Sequence, residues 1–127
     1  MILRDSKTRL SSLKQLVGDF VSARNWKMFH NPKNLSMAIT AEAAELMDLF
    51  KWVKDTESSE TLKLPAMKRA MAGELADVII YILAMATATG LDISEIVTKR
   101  LARDRRKYPV RKYKGQVRLV GRRDNPS

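Results

Sequence analysis

Three features of the sequence predict an all-α protein: a four-helix-bundle type of fold in one domain (residues 1–109) with a basic C-terminal tail (residues 110–127). Apolar residues recur at i, i+3, i+4 and i+7 along four segments, the periodicity of amphipathic helices. Proline, glycine and asparagine stand between those segments, where a helix has to stop. The chain of 127 residues is long enough for one core and too short for two domains of ordinary size.

The first helix is expected from about Ser6 to Met28, with Leu10, Leu13, Leu16, Val17 and Phe20 on its apolar face. The connection H-N-P-K-N ends it, because Pro32 disfavours helix at the residue before it. Asn34 is the expected N-cap of the second helix, which runs to about Val53. After the loop D-T-E-S-S-E-T-L-K-L, Pro65 suits the first turn of a third helix. That helix extends to about Thr89 and stops at Gly90. Asp92 and Glu95 make a capping-box-like start to the fourth, which ends near Lys107, ahead of Pro109. The tail from Val110, with Val117, Leu119 and Gly121 alternating among arginines, reads as a short extended arm or as disorder.

The third helix is apolar nearly all round between Leu75 and Met85, the pattern of a helix buried on several sides. A lone bundle of this size leaves part of such a helix uncovered. A homo-oligomer, in which the helix meets its symmetry mate, is therefore expected.

Composition removes several classes of chemistry. There is no cysteine, hence no disulfide framework, zinc–thiolate site or thiol nucleophile. His30 is the single histidine and cannot build a His-rich metal cluster. The opening residues M-I-L-R-D-S-K-T-R-L lack the apolar core of a secretory signal, so a cytoplasmic protein is expected. The longest uninterrupted apolar stretch, Val78 to Ala86, falls well short of the roughly 18 residues of a membrane span, and no membrane partner is expected. The net charge of +10 is concentrated: residues 1–98 hold 12 Lys and Arg against 12 Asp and Glu, residues 99–127 hold 12 against 2. Such a segment attracts phosphate, in a nucleotide or along a nucleic-acid backbone, and is equally the pattern of a solvated tail.

Four carboxylates carry the strongest chemical signal. Glu42 and Glu45 in E-A-A-E-L, and Glu74 and Asp77 in E-L-A-D-V, are each spaced i, i+3, which places a pair on one helix face. Acidic pairs commonly mark a solvated face. Here, at roughly 100° per residue, Glu42 and Glu45 share an arc with Leu35, Ala38, Leu46, Leu49 and Val53. Glu74 and Asp77 share one with Met67, Ala70, Val78, Tyr81 and Met85. Both pairs are thus expected to point toward the core. Carboxylates drawn out of water need a counter-charge or else take up protons. Hard divalent ions such as Mg²⁺ take oxygen ligands of this kind and often share them with substrate phosphates.

Five of the eight aromatic residues, Trp26, Phe29, Phe50, Trp52 and Tyr81, flank the acidic pairs in sequence. Such rings can stack on a base, though at helical spacing they also make ordinary core. On the fourth helix Arg100 and Asp104 align with Ile93, Val97 and Leu101, so they too are expected to face inward, where Arg100 would hold a phosphate oxygen or partner the acids.

At these residues the chain resembles the MazG-like, all-α nucleoside triphosphate pyrophosphohydrolases, in particular the dCTP pyrophosphatase-like branch. The resemblance runs from about Phe20 to Pro109. It rests on R-N-W-K-M-F-H-N-P-K-N-L (Arg24 to Leu35), E-A-A-E-L, F-K-W, E-L-A-D-V-I-I-Y and R-R-K-Y-P, in that order and at matching intervals. It implies a helical bundle that assembles as a dimer or dimer of dimers and hydrolyses a nucleoside triphosphate to the monophosphate and pyrophosphate. By that likeness Glu42, Glu45, Glu74 and Asp77 match Mg²⁺ ligands, and Trp26, His30, Asn34, Trp52 and Tyr81 match positions lining the nucleotide pocket. Arg100 and Asp104 stand where the family commonly has Lys and Asn contacting phosphate or metal. Lys51 stands where the branch usually has Gln.

The chemistry agrees with the residues. Attack of water on the α-phosphorus builds negative charge, which a divalent ion offsets, and positioning does most of the rest. With no cysteine and one histidine, Glu45 is the expected general base, with Glu42 beside it. The substrate expected is a dNTP, dCTP-like or a modified pyrimidine. Two other readings compete: a nucleic-acid-binding helical module working through the basic segment, and a structural bundle whose acids are paired internally with Lys or Arg.

Overall fold

A computed structural model describes residues 1–116. Val117, Leu119 and Gly121 lie outside the described residues. Among the described residues all regular structure is helical, as expected. The chain divides into two compact units, Met1–Asp92 and a second from Ile93 onward.

In the first unit, the first long helix is shorter than expected at both ends. A 3₁₀ turn at Asp5–Lys7 precedes α1 (Leu10–Ala23), and another follows at Lys27–Phe29. Arg9 is extended, which delays the start. At the other end Asn25 adopts a left-handed φ of 54°, a conformation asparagine tolerates better than most residues. The Trp26 N–H then donates back to the Val21 carbonyl at 3.1 Å and closes the helix.

The second helix starts three residues earlier than expected. Asn31, not Asn34, is the cap of α2 (Pro32–Asp48): its side-chain oxygen accepts from the Asn34 N–H at 2.9 Å, with Pro32 in the first helical position. α2 ends at Asp48, short of Val53. Within the connection expected to be a loop, a 3₁₀ turn (Asp55–Glu57) leads into a single helical turn, α3 (Ser58–Thr61).

The longest helix, α4 (Pro65–Thr89), has the predicted bounds. Pro65 occupies its first turn, and Gly90, with φ 69°, ends it in the left-handed region where a side chain would be strained. The Lys14 ammonium donates to the Leu91 carbonyl at 3.0 Å, tying α1 to the turn beyond α4.

α4 is the shared wall of this unit, with α2 along one seam and α1 along another. Among the described residues the buried ones are Val21 of α1, Leu35 of α2, and Leu83, Ala84 and Ala86 of α4. Elsewhere on α4, Leu75, Ile79, Ile80 and Ile82 are each at least 40% exposed. By length and hydropathy the whole of α4 meets the requirement of a membrane span, which the uninterrupted run Val78–Ala86 did not. Glu74 and Asp77 along it, and two helices packed against it, mark it as a bundle helix.

In the second unit α5 (Ile93–Lys107) matches the predicted fourth helix. Beyond an extended Pro109, residues 110–113 form one further helical turn, α6 (Val110–Tyr113), where an extended arm or disorder was expected. The Tyr108 and Tyr113 rings meet edge to face at 5.3 Å across that break.

Candidate active site

The seam between α2 and α4 gathers acid. Carboxylate oxygens of Glu42 and Glu45 on α2 and Glu74 on α4 lie within 4.8 Å of one another. The spacing i, i+3 turns both α2 side chains the same way, and packing of α4 on α2 brings Glu74 to meet them. The group sits at the edge of the core and not within it: Glu42 and Glu74 are half-buried, Glu45 and Asp77 exposed. Helical periodicity gives the direction of a side chain but not its depth, and among the described residues no charged side chain is fully buried.

The electrostatics of the group are unfavourable as they stand. Glu42 is raised above the ordinary value of 4.5, first by burial, then by the charges of Glu45 and Asp77. Glu74 is raised likewise, by burial, then by Glu45, with Glu42 and Asp77 behind. Asp77 falls outside the group of three yet acts on two of its members. The Glu74 Oε2 atom is closed off from solvent with no hydrogen-bond partner. Among the described residues no lysine or arginine pairs with any of the four acids. The internal Lys or Arg partners expected of a purely structural bundle are thus not seen among the described residues. Oxygen donors from two helices, one of them orphaned, are the donor set of a hard divalent cation.

The seam between α1 and α4 is of another kind. It holds a cleft of about 350 Å³ lined by Val17, Gly18 and Val21 of α1, Ala84, Thr87 and Ala88 of α4, and Lys27 and His30 from the connection. This is the size of the smaller pockets that bury small molecules. His30, expected in a nucleotide pocket, lines it and is half-buried. Val17 was expected only on the apolar face of the first helix, and the other α1 and α4 residues and Lys27 were not expected at a site, because valine, glycine and alanine carry no chemical signature.

The remaining expected residues are more dispersed. Trp26 meets Phe20 edge to face at 5.8 Å, and the Arg24 guanidinium lies 3.6 Å from the Phe20 ring centre, so the three side chains brace the end of α1. Asn34 donates from its side chain to the Phe29 carbonyl at 3.1 Å, holding the Lys27–Phe29 turn against the start of α2. Tyr81 is half-buried on α4, one turn beyond Asp77. Trp52 is 89% exposed with Lys51 at its ring, and the single chain gathers it into neither seam. Within the second unit Arg100 is exposed, which its alignment with Val97 and Leu101 did not predict, and its side chain pairs with Asp104 at 3.8 Å.

The chain is similar to known proteins in sequence and in fold. The MazG-like family matches residues 37–118. The chain is 35% identical to dCTP pyrophosphatase 1 of Mus musculus over 108 residues, which cover 85% of this chain and 64% of that one. It is also 35% identical to dCTP pyrophosphatase 1 of Homo sapiens over 100 residues, 79% of this chain and 59% of that one. It thus spans somewhat less than two-thirds of the length of these relatives. A solved pyrophosphatase from Archaeoglobus fulgidus superposes with a TM-score of 0.75 at 30% identity, covering 85% of this chain and 99% of that one. In sequence over most of its length, and in fold, the chain belongs to the MazG-like family.

Proposed function

We propose that this chain is a Mg²⁺-dependent nucleoside triphosphate pyrophosphohydrolase that converts a dNTP to dNMP and pyrophosphate, with dCTP or a modified pyrimidine dNTP as the favoured substrate. One observation carries the reading: three carboxylates from two helices within 4.8 Å of one another, with no ion pair to a cationic side chain among the described residues. The names of the relatives supply the substrate class, and clearance of unwanted nucleotides is the corresponding role. A cytoplasmic setting follows from where such nucleotides are made and used.

Glu42, Glu45, Glu74 and Asp77 would hold Mg²⁺, which when bound offsets charge on the phosphoryl oxygens and acidifies water. Glu45 is the exposed member of the group and serves as general base, accepting a proton as water oxygen bonds to the α-phosphorus. The bond from that phosphorus to the bridging oxygen breaks, and pyrophosphate leaves. The α1/α4 cleft takes the base, with His30 at its wall and Trp26 and Tyr81 nearby in the chain. Asn34 positions the turn between Trp26 and His30. Trp52, Arg100 and Asp104 are proposed nucleotide contacts, Arg100 for phosphate.

Residues 1–109 are the proposed enzyme domain and 110–127 an appended basic tail. The exposed Leu75, Ile79, Ile80 and Ile82 of α4 support assembly as a dimer or dimer of dimers through this helix. Light scattering that finds a strict monomer would remove that part of the reading.

The test of the activity is pyrophosphate release from a panel of dNTPs, with Mg²⁺ and with EDTA, for the wild type beside Glu42→Gln. Metal-dependent release that the variant loses is the expected result. Absence of release from every nucleotide would sink the enzyme reading and favour nucleic-acid binding through the basic segment.

A further inference from the structure

Gly18 stands in the interior of α1, where glycine weakens a helix relative to alanine. Its backbone does not call for it: among the described residues the left-handed glycines are Gly90 and Gly115. Packing does not call for it either, since a Cβ at Gly18 would meet nothing within 4 Å. Gly73 of α4 shares that freedom but is exposed, and the space over it is solvent. Gly18 is half-buried, and the space over it is cleft.

Two clefts of about 350 Å³ each meet at this residue. The first is the largely aliphatic one described above. The second is lined mainly by polar residues, Ser11, Lys14, Gln15, Asp19 and Ser22 of α1 and Thr87 of α4, although most of its open surface is apolar. Gly18, Lys27 and Thr87 line both. A side chain at residue 18 would stand where the two join.

We infer that Gly18 determines how large a base the protein accepts. The missing side chain leaves an opening through which a substituent on the base, or the second ring of a purine, extends from the aliphatic cleft toward the other. The aliphatic walls offer few groups to read the edge of a base, so selection here is by shape. This inference rests on the reading that the chain hydrolyses dNTPs with the base in the α1/α4 cleft.

The experiment compares wild type, Gly18→Ala and Gly18→Leu in the full chain, measuring thermal midpoint and kcat/KM for dCTP, C5-propynyl-dCTP and dATP. The wild type is expected to turn over dCTP and at least one larger nucleotide. Gly18→Ala, adding a methyl group to a helix in open space, raises the midpoint by about 3 °C. Gly18→Leu lowers kcat/KM for the larger nucleotide by about tenfold more than for dCTP, through KM. Gly18→Ala shifts the same ratio in the same direction by about twofold, so a Leu variant that fails to fold leaves the comparison intact. An unchanged ratio in the folded variants, an equal loss for all nucleotides, or a wild type that accepts dCTP alone overturns the inference while pyrophosphate release keeps the parent reading standing. A wild type that releases pyrophosphate from no nucleotide overturns both.

Discussion

The two seams of α4 solve opposite problems. Against α2 the helix presents charge: three carboxylates crowd together with no cation among the described side chains, and Glu42 and Glu74 are held above their ordinary carboxylate range. Against α1 it presents small apolar residues, Ala84 and Ala88, opposite Val17, Gly18 and Val21, and the result is unfilled volume. The first seam is incomplete in charge and the second in packing. On the proposed reading, a ligand carrying a divalent cation at one end and a flat, partly apolar group at the other, as a nucleotide does, would complete both.

Substitutions that act on one seam only are the way to break this comparison. The largest effect belongs to the acidic seam: Glu45→Gln should lower pyrophosphate release by about 10²–10⁴-fold, with the helical circular dichroism of the wild type retained. Substantial turnover by the folded variant in Mg²⁺ would remove Glu45 from the role of base.

Next is a linkage between pH and metal. Because Glu42 and Glu74 bind protons more tightly folded than unfolded, their protonation stabilises the fold below about pH 4.5. That contribution is lost as pH rises through their raised values. The metal-free protein should therefore lose stability as pH climbs out of the acid range. Saturating Mg²⁺ should raise the thermal midpoint by about 5 °C at pH 8 and scarcely at pH 4. An equal effect of Mg²⁺ at both pH values would show that it binds elsewhere.

The smallest effect belongs to the cleft. His30→Ala should raise KM about tenfold, roughly 1.4 kcal/mol, with kcat nearly constant and the thermal midpoint within about 2 °C. A fall in kcat with KM unchanged would place His30 in the chemistry and blur the division between the seams.

The difference between the seams is also why one was legible in the sequence and the other was not. Carboxylates at i, i+3 amid leucines are conspicuous, and their partnership across two helices follows from charge that needs an offset. Their depth was misjudged, since an arc on a helix says nothing of how thick the layer beyond it is. The bounds of α4 were readable because Pro65 and Gly90 act on the backbone itself. The end of α1 was not, because asparagine at residue 25 takes a left-handed turn that many asparagines do not. The cap of α2 was placed three residues late because two asparagines flank Pro32, and only the hydrogen bond distinguishes them. Apart from His30, nothing marked the α1/α4 cleft, because a cavity is a property of what residues leave empty.

One helix serving both seams makes the molecule a caliper. Glu74 and Ala84 lie on α4 ten residues apart with no proline or glycine between them, a rigid separation of about 15 Å along the axis. On the proposed reading the jaws are the acidic group and the cleft, and the gauge is backbone hydrogen bonding, which no ligand can stretch. Since the α-phosphorus is common to mono-, di- and triphosphates, that gauge governs where the reacting phosphorus lies from the base and leaves recognition of the terminal phosphates to other contacts.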